Sequence, residues 1–212
     1  MPVPPQVAVI DYGSGNLRSV EKALQHAGAE IRRCDSPEGL ADAAALVLPG
    51  VGSFGDCVRS LRERGLIDPL RSWLAAGRPY LGICLGYQIL FEGSEESPGE
   101  EGLGHWRGQV VRFPARPGLK VPHMGWNELE MGAPDDLLAG LQAPVHVYFV
   151  HSYYPVPAEE DIITARSTHG VTFAAACGRG GVQGVQFHPE KSQAVGLRML
   201  ENFVGRLREE GF

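Results

Sequence analysis

The chain predicts an α/β fold: a central, mostly parallel sheet flanked by helices, with additional antiparallel strands in the second half. Three features point there. Apolar runs of strand length, each ending in turn residues, alternate with helical patterns up to about residue 91. From about residue 105, short strand-like runs follow one another with little helix between them. The closing stretch SQAVGLRMLENFVGRLREE returns to a mostly helical apolar face.

Taken in order, QVAVI (6–10) is an apolar strand, DYGSGN is turn-rich, and Leu17, Val20, Ala23 and Leu24 recur at helical spacing. AALVLPG (44–50) is the next strand, closed by Pro49 and Gly50, and Leu61, Leu66, Ile67, Leu70 and Leu74 mark helical segments behind it. PYLGICLG repeats the pattern, with its helix expected to continue through Ile89, Leu90 and Phe91. Such alternation implies parallel strands covered on both faces, with functional loops at their carboxyl ends. GQVVRF, GWNELE, PVHVYFVHSYY, DIITARS, VTFAAAC and GVQGVQF then read as antiparallel or mixed strands separated by turn residues. In the last helix Val195, Leu197, Met199, Leu200, Phe203, Val204 and Leu207 form the apolar face. No internal repeat or low-complexity linker divides the chain, and 212 residues suit one domain with one substantial core, spanning 1–212.

Composition narrows the function. Apolar residues at 43% and charged residues at 21% are ordinary for a water-soluble globular protein. With 25 acidic against 19 basic side chains, the net charge of −6 argues against nucleic acid or an anionic membrane as the main partner. No apolar run approaches the roughly 20 residues that span a bilayer. The start MPVPPQ lacks the regions of a secretion signal, so a cytoplasmic location is expected. Cys34, Cys57, Cys84 and Cys177 are scattered with no C-x-x-C pair, which suggests neither a zinc site nor a disulfide framework.

Chemistry concentrates in three segments. Gly82-Ile83-Cys84-Leu85-Gly86 follows the pattern of a nucleophile elbow, with cysteine in the place of serine. Glycines two residues to either side leave room for a sharp strand-to-helix turn that exposes the sulfur, and the helix N-terminus would favour the thiolate. On the pentapeptide alone, a structural cysteine between two chance glycines is an equal alternative. VQFHPEKS supplies a base, His188, and a carboxylate, Glu190, which can return to the same side and hold the imidazole; taken alone, such a pair is more often a surface pair. LPGVGSFGD supplies a glycine-rich loop in which an amide at Val51 or Gly52 could join that of Leu85 in stabilising an oxyanion; its bland alternative is a flexible turn. The DYGSGN loop fails the dinucleotide test, because Arg18 stands where the third glycine belongs.

With these motifs in view, the chain resembles the class I, triad-type glutamine amidotransferases. GICLGYQ and QFHPEKS are similar to that family's nucleophile and base motifs. IDYGSGNLRSV, LPGVGSFGD, LGICLGYQILFEGSEE, PHMGWN, YFVHSYY and GVQFHPEKS together resemble the glutaminase subunits of imidazole glycerol phosphate synthases. The resemblance implies a class I amidotransferase-like fold and a Cys84-His188-Glu190 triad that hydrolyses L-glutamine through a γ-glutamyl thioester, with no metal or cofactor. It also implies that Gly52, Gln88, Glu96, Ser152 and Tyr153 help to hold glutamine. A separate cyclase subunit of (β/α)8-barrel type is expected to take the ammonia in a heterodimer, with Asn16, Met124, Trp126, Asn127 and Lys191 as candidate contacts. Two alternatives stay open for single residues: a core position for Trp126 and a plain surface charge for Lys191. At the level of the whole chain they are a glutaminase of another synthase, such as that for pyridoxal phosphate, or a non-catalytic interaction subunit.

Overall fold

The computed structural model describes residues 3–13 and 15–211; Ser14 of the DYGSGN turn lies outside them. A nine-stranded sheet carries the fold. Its first half is parallel: β2 (Glu30–Cys34), β1 (Gln6–Ile10), β3 (Ala45–Gly50) and β4 (Tyr80–Cys84) lie side by side in that order, and β12 (Val182–Val185) joins parallel to β4. Beyond β12 the sheet turns antiparallel through β11 (Val171–Arg179), β10 (Ile163–His169), β7 (His123–Met131) and β8 (Val145–His151). A second sheet of three strands joins β5 (Gly93–Ser94), β6 (Gly108–Arg112) and β9 (Tyr153–Pro157).

The central strands read as unbroken apolar runs because both faces are covered. Val7 and Val9 of β1, Ala45 and Val47 of β3, and Leu81 and Ile83 of β4 pack with α1 (Leu17–His26) and α5 (Gln193–Glu209). Their alternates, Ala8, Ile10, Leu46, Leu48 and Tyr80, pack on the other side with α2 (Phe54–Glu63) and α3 (Ile67–Ala75). The expected helical positions Leu17, Val20, Ala23 and Leu24 are the buried residues of α1. Among the described residues no helix is long and apolar enough to cross a membrane.

Three local differences from the sequence expectation have physical causes. β2 carries EIRRC, a mostly unburied edge strand whose Arg33 pairs with Glu21 of α1; its charges hide it from an apolar-run reading. The run PVHVYFVHSYY breaks at Ser152 into β8 and β9, which belong to different sheets. The helix after Cys84 is the single turn α4 (Leu85–Gln88) and does not continue through Phe91. The carbonyls of Ile89, Leu90 and Phe91, which a longer helix would need, accept instead from the N–H groups of Leu103, Trp106 and Gly104.

Candidate active site

The carboxyl ends of β3 and β4 open on one cavity, as expected for a parallel sheet, and β12 runs out behind Cys84 through Gln186. Cys84 closes β4 with φ 55°, a backbone setting that a side-chain-bearing residue rarely adopts. The turn is tight. A Cβ on Gly82 would lie 2.4 Å from the carbonyl oxygen of Gly86, and one on Gly86 would lie 1.8 Å from that of Leu48, so both positions exclude side chains. Gly50 sits in register beside Cys84 and brings the following Val51-Gly52 loop next to the sulfur; Gly52 itself has φ 109°. Because α4 is one turn long, the helix dipole expected behind the sulfur is small.

The base is built from the other side. β12 leads into Gln186, Phe187 and His188, and the chain then enters a 3-10 turn at Pro189–Lys191. Ser192 pins the turn: its hydroxyl donates to the His188 carbonyl at 2.7 Å and accepts from the Tyr148 N–H at 3.0 Å. Inside it, His188 Nδ1 lies 2.8 Å from Glu190 Oε1, with the two side chains 2% and 0% exposed. Burial pulls the imidazole's proton affinity down, but the negative charges of Cys84 and Glu190 outweigh it and lift its pKa to about 10. His188 Nε2 is buried and, with Nδ1 held by Glu190, is the nitrogen left to interact with Cys84, so it is placed to exchange a proton with sulfur or substrate. The other three thiols are inert by comparison: burial raises that of Cys34 and pushes those of Cys57 and Cys177 up to about 12.

A cavity of about 300 Å³ opens beside Cys84, within the size range of small-molecule sites. Val51, Gly52, Leu85, Gln88, Glu96, Ser152 and Tyr153, all expected there from sequence, line it, together with Pro122, Val150 and His151. Glu96 Oε2 accepts from the Phe54 N–H at 2.7 Å, which ties the acidic loop to the start of α2. Gln88 Nε2 donates to the Tyr153 carbonyl at 2.9 Å and to Gln186 Oε1 at 3.1 Å. Among the described residues, no group of three or more His, Cys, Asp or Glu is placed to hold a metal ion.

The expected partner-facing residues divide. Met124 and Trp126 are 63% and 48% exposed on the outer face of β7, which removes the core reading of Trp126. Trp126 meets Tyr148 edge-on at 6.1 Å, and Lys191 Nζ lies 5.9 Å from the same ring, so the three form one patch next to the 3-10 turn that carries Glu190. Asn16 turns its amide inward and donates to Glu190 Oε1 at 2.9 Å. Asn127, half-buried, faces another way. Strand alternation places it on the face opposite Met124 and Trp126, where Nδ2 meets His123 Nε2 at 3.2 Å and donates to the Thr168 carbonyl at 2.9 Å.

Sequence reasoning passed over Gln186, His123 and His151, although each lies within a quoted motif. Gln186 stands two residues before His188; the histidines sit in PHMGWN and FVHSYY, where only their neighbours were singled out. His123 Nδ1 and His151 Nε2 are 3.0 Å apart, and His151 Nδ1 lies 2.9 Å from the Tyr153 carbonyl. Burial, reinforced by neighbouring imidazoles, lowers the pKa of His123 to about 4 and that of His151 to about 3. Unfolded, both take up protons near 6.5. The unfolded chain therefore binds more protons below that pH, and stability should fall as pH drops from about 6.5 towards 3. His188, whose folded pKa is raised, opposes this trend only near pH 6.5, where the unfolded imidazole is still partly neutral, and adds little slope below about 5.5. Thermal unfolding between pH 6.5 and 5 should show a falling Tm in the parent and a shallower fall in His123→Gln; equal slopes would contradict the assignment.

Comparison with known proteins identifies the family. The family model described as "Glutamine amidotransferase class-I" matches residues 8–207. The chain is 50% identical over 204 residues to the imidazole glycerol phosphate synthase subunit HisH of Desulfitobacterium hafniense, covering 96% of each chain. It is 51% identical over 211 residues to that of Geobacillus thermodenitrificans, covering 97% of this chain and 99% of the relative. Among solved structures, one described as a glutamine amidotransferase superposes with TM-score 0.74 at 24% identity, covering 94% of this chain and 98% of the other. PurLQS from Thermotoga maritima matches with TM-score 0.74 at 20% identity, covering 98% of this chain and 99% of the other; these two likenesses speak to the fold. The chain belongs to the class I glutamine amidotransferase family, within its group of imidazole glycerol phosphate synthase HisH subunits.

Proposed function

We propose that the chain, as one unit over residues 1–212, hydrolyses L-glutamine to L-glutamate and ammonia for a cytoplasmic synthase of histidine biosynthesis. The observation that carries this reading is a cysteine on a strained elbow at a small cavity, facing a buried His188–Glu190 pair. Cys84 Sγ attacks the side-chain amide carbon, and His188 Nε2 delivers a proton to the departing nitrogen. Ammonia leaves, and water then cleaves the γ-glutamyl thioester. Glu190 holds Nδ1–H and balances the imidazolium charge. The N–H of Leu85, at the start of α4 and without an intrahelical acceptor, and an amide of the Val51-Gly52 loop would receive the oxyanion. Glu96, Gln88, Ser152 and Tyr153 line the space for the amino-acid end of glutamine, and the Glu96 carboxylate suits its α-ammonium group.

In this reading the ammonia passes to a separate (β/α)8-barrel cyclase, which makes imidazole glycerol phosphate and an aminoimidazole carboxamide ribotide. The exposed Met124-Trp126 surface, with Lys191, is the contact patch. The HisH relatives favour this partner over another synthase, and the complete triad argues against a non-catalytic subunit. Glutamate release should be measured with the purified chain alone, with the cyclase, and with the cyclase and its nucleotide ligand. A rise of roughly 5- to 150-fold with the liganded cyclase is expected for ordinary allosteric coupling. Indifference to the cyclase would sink the partner assignment, and no glutamate under any condition would sink the activity.

A further inference from the structure

Gln186 has a fully buried side chain, so both ends of its amide must find partners. Its N–H end faces the nucleophile, with Nε2 3.6 Å from Cys84 Sγ. The direction of that contact follows from groups whose roles are not interchangeable. The Tyr153 carbonyl can only accept, so the Gln88 group beside it at 2.9 Å must be the NH₂. The second hydrogen of that NH₂ points to Gln186 at 3.1 Å, which makes the facing atom of Gln186 the oxygen. The other end of Gln186, turned to sulfur, is then the NH₂. The opposite amide orientation would set two NH₂ groups against each other and an oxygen lone pair against the sulfur.

The same carbonyl is held from its other side. Asn127 accepts from the Glu128 N–H through Oδ1 and donates through Nδ2 to the Thr168 carbonyl, so Nδ2 is its donor end. Nδ2 also meets His123 Nε2, His123 Nδ1 meets His151 Nε2, and His151 Nδ1–H donates to Tyr153. Each imidazole therefore has one defined neutral tautomer. Backbone groups thus set the sense of the chain at its Asn127 end and at Tyr153, and its last donor is Gln186.

We propose that Gln186 is a further catalytic residue, whose side-chain amide donates to the Cys84 sulfur and stabilises it as thiolate. The proposal rests on Cys84 being the nucleophile. Gln186 gives up no proton: the thiol proton goes to His188, and the amide N–H strengthens its contact as charge builds on sulfur. It returns to that state when the thioester breaks and sulfur leaves as thiolate. The donor acts beside His188, at a sulfur to which α4, at one turn, adds little dipole.

The test is the pH profile of Cys84 alkylation by iodoacetamide, followed on the Cys84 peptide by mass spectrometry, in the complete chain and in Gln186→Met and Gln186→Asn. Hydrogen bonds to charged groups are strong enough that the profile midpoint should rise by about one pH unit in Gln186→Met. It should move in the same direction in Gln186→Asn, whose shorter amide cannot reach both sulfur and Gln88. With the cyclase present, kcat for glutamine should fall about 10-fold while KM changes little. In the parent chain the Gln186 side-chain ¹⁵N resonance should titrate with the alkylation midpoint, a readout that needs no variant. Superimposable alkylation profiles in folded variants, or a ¹⁵N resonance indifferent to Cys84, would overturn the proposal and leave Gln186 a packing residue. Glutamine turnover surviving in Cys84→Ala would instead overturn the nucleophile, an outcome the alkylation profiles do not depend on.

Discussion

Cys84→Ala should abolish glutaminase activity, by a factor on the order of 10⁶ in kcat, while leaving the fold and cyclase binding in place. No other thiol can substitute, because Cys34, Cys57 and Cys177 are buried away from the cavity. Alanine keeps the Cβ that makes φ 55° costly, so the variant carries the same backbone strain and should unfold within about 1 kcal/mol of the parent. Cys84→Gly is equally inactive by this reasoning, yet it relieves the strain and should be more stable than the alanine variant by about 1 kcal/mol. Glutamate release, trapping of the thioester and thermal unfolding of both variants check this. Residual turnover near the parent level would remove Cys84 from the mechanism, and equal stability of the two variants would remove the strain.

Glu190→Gln is expected to lower kcat by between about 10²- and 10⁴-fold with only a modest change in KM. Glu190 Oε1 accepts from both His188 Nδ1 and Asn16 Nδ2, so a glutamine there must turn its oxygen to the same two donors. Geometry is then kept while the charge is lost. That charge is one of the causes holding the imidazolium, so His188 should release its proton at lower pH in the variant. The alkaline limb of the kcat/KM profile should move towards neutrality. Asn16→Ala, which removes the second donor but not the carboxylate, should have a smaller effect in kcat. Unchanged rate and pH profile in Glu190→Gln would show that the carboxylate only packs against the ring.

The residues proposed to react were legible in the sequence because their roles require particular residue types at short spacing. Glycines around Cys84, a glycine loop after a strand, and a carboxylate two positions beyond a histidine are local constraints. So are the apolar runs that build a sheet covered on both faces. Other features depend on groups distant in the chain. The helix behind Cys84 stops after one turn because residues 102–106 run across the carbonyls of Ile89 to Phe91. Asn127 sits in the same motif as Trp126, but the pleat turns the two to opposite faces, and Asn127 meets His123 and the Thr168 carbonyl. Gln186 reads as one more polar residue just past β12 until β4 and the Ser152 bend bring Cys84, Gln88 and Tyr153 around it. Periodicity and turn chemistry act over a few residues, and that was enough to specify the fold class and to single out Cys84, His188 and Glu190 as candidates. The direction of a buried hydrogen-bond chain depends on which backbone carbonyls stand at its ends, and only the packed structure brings those ends together.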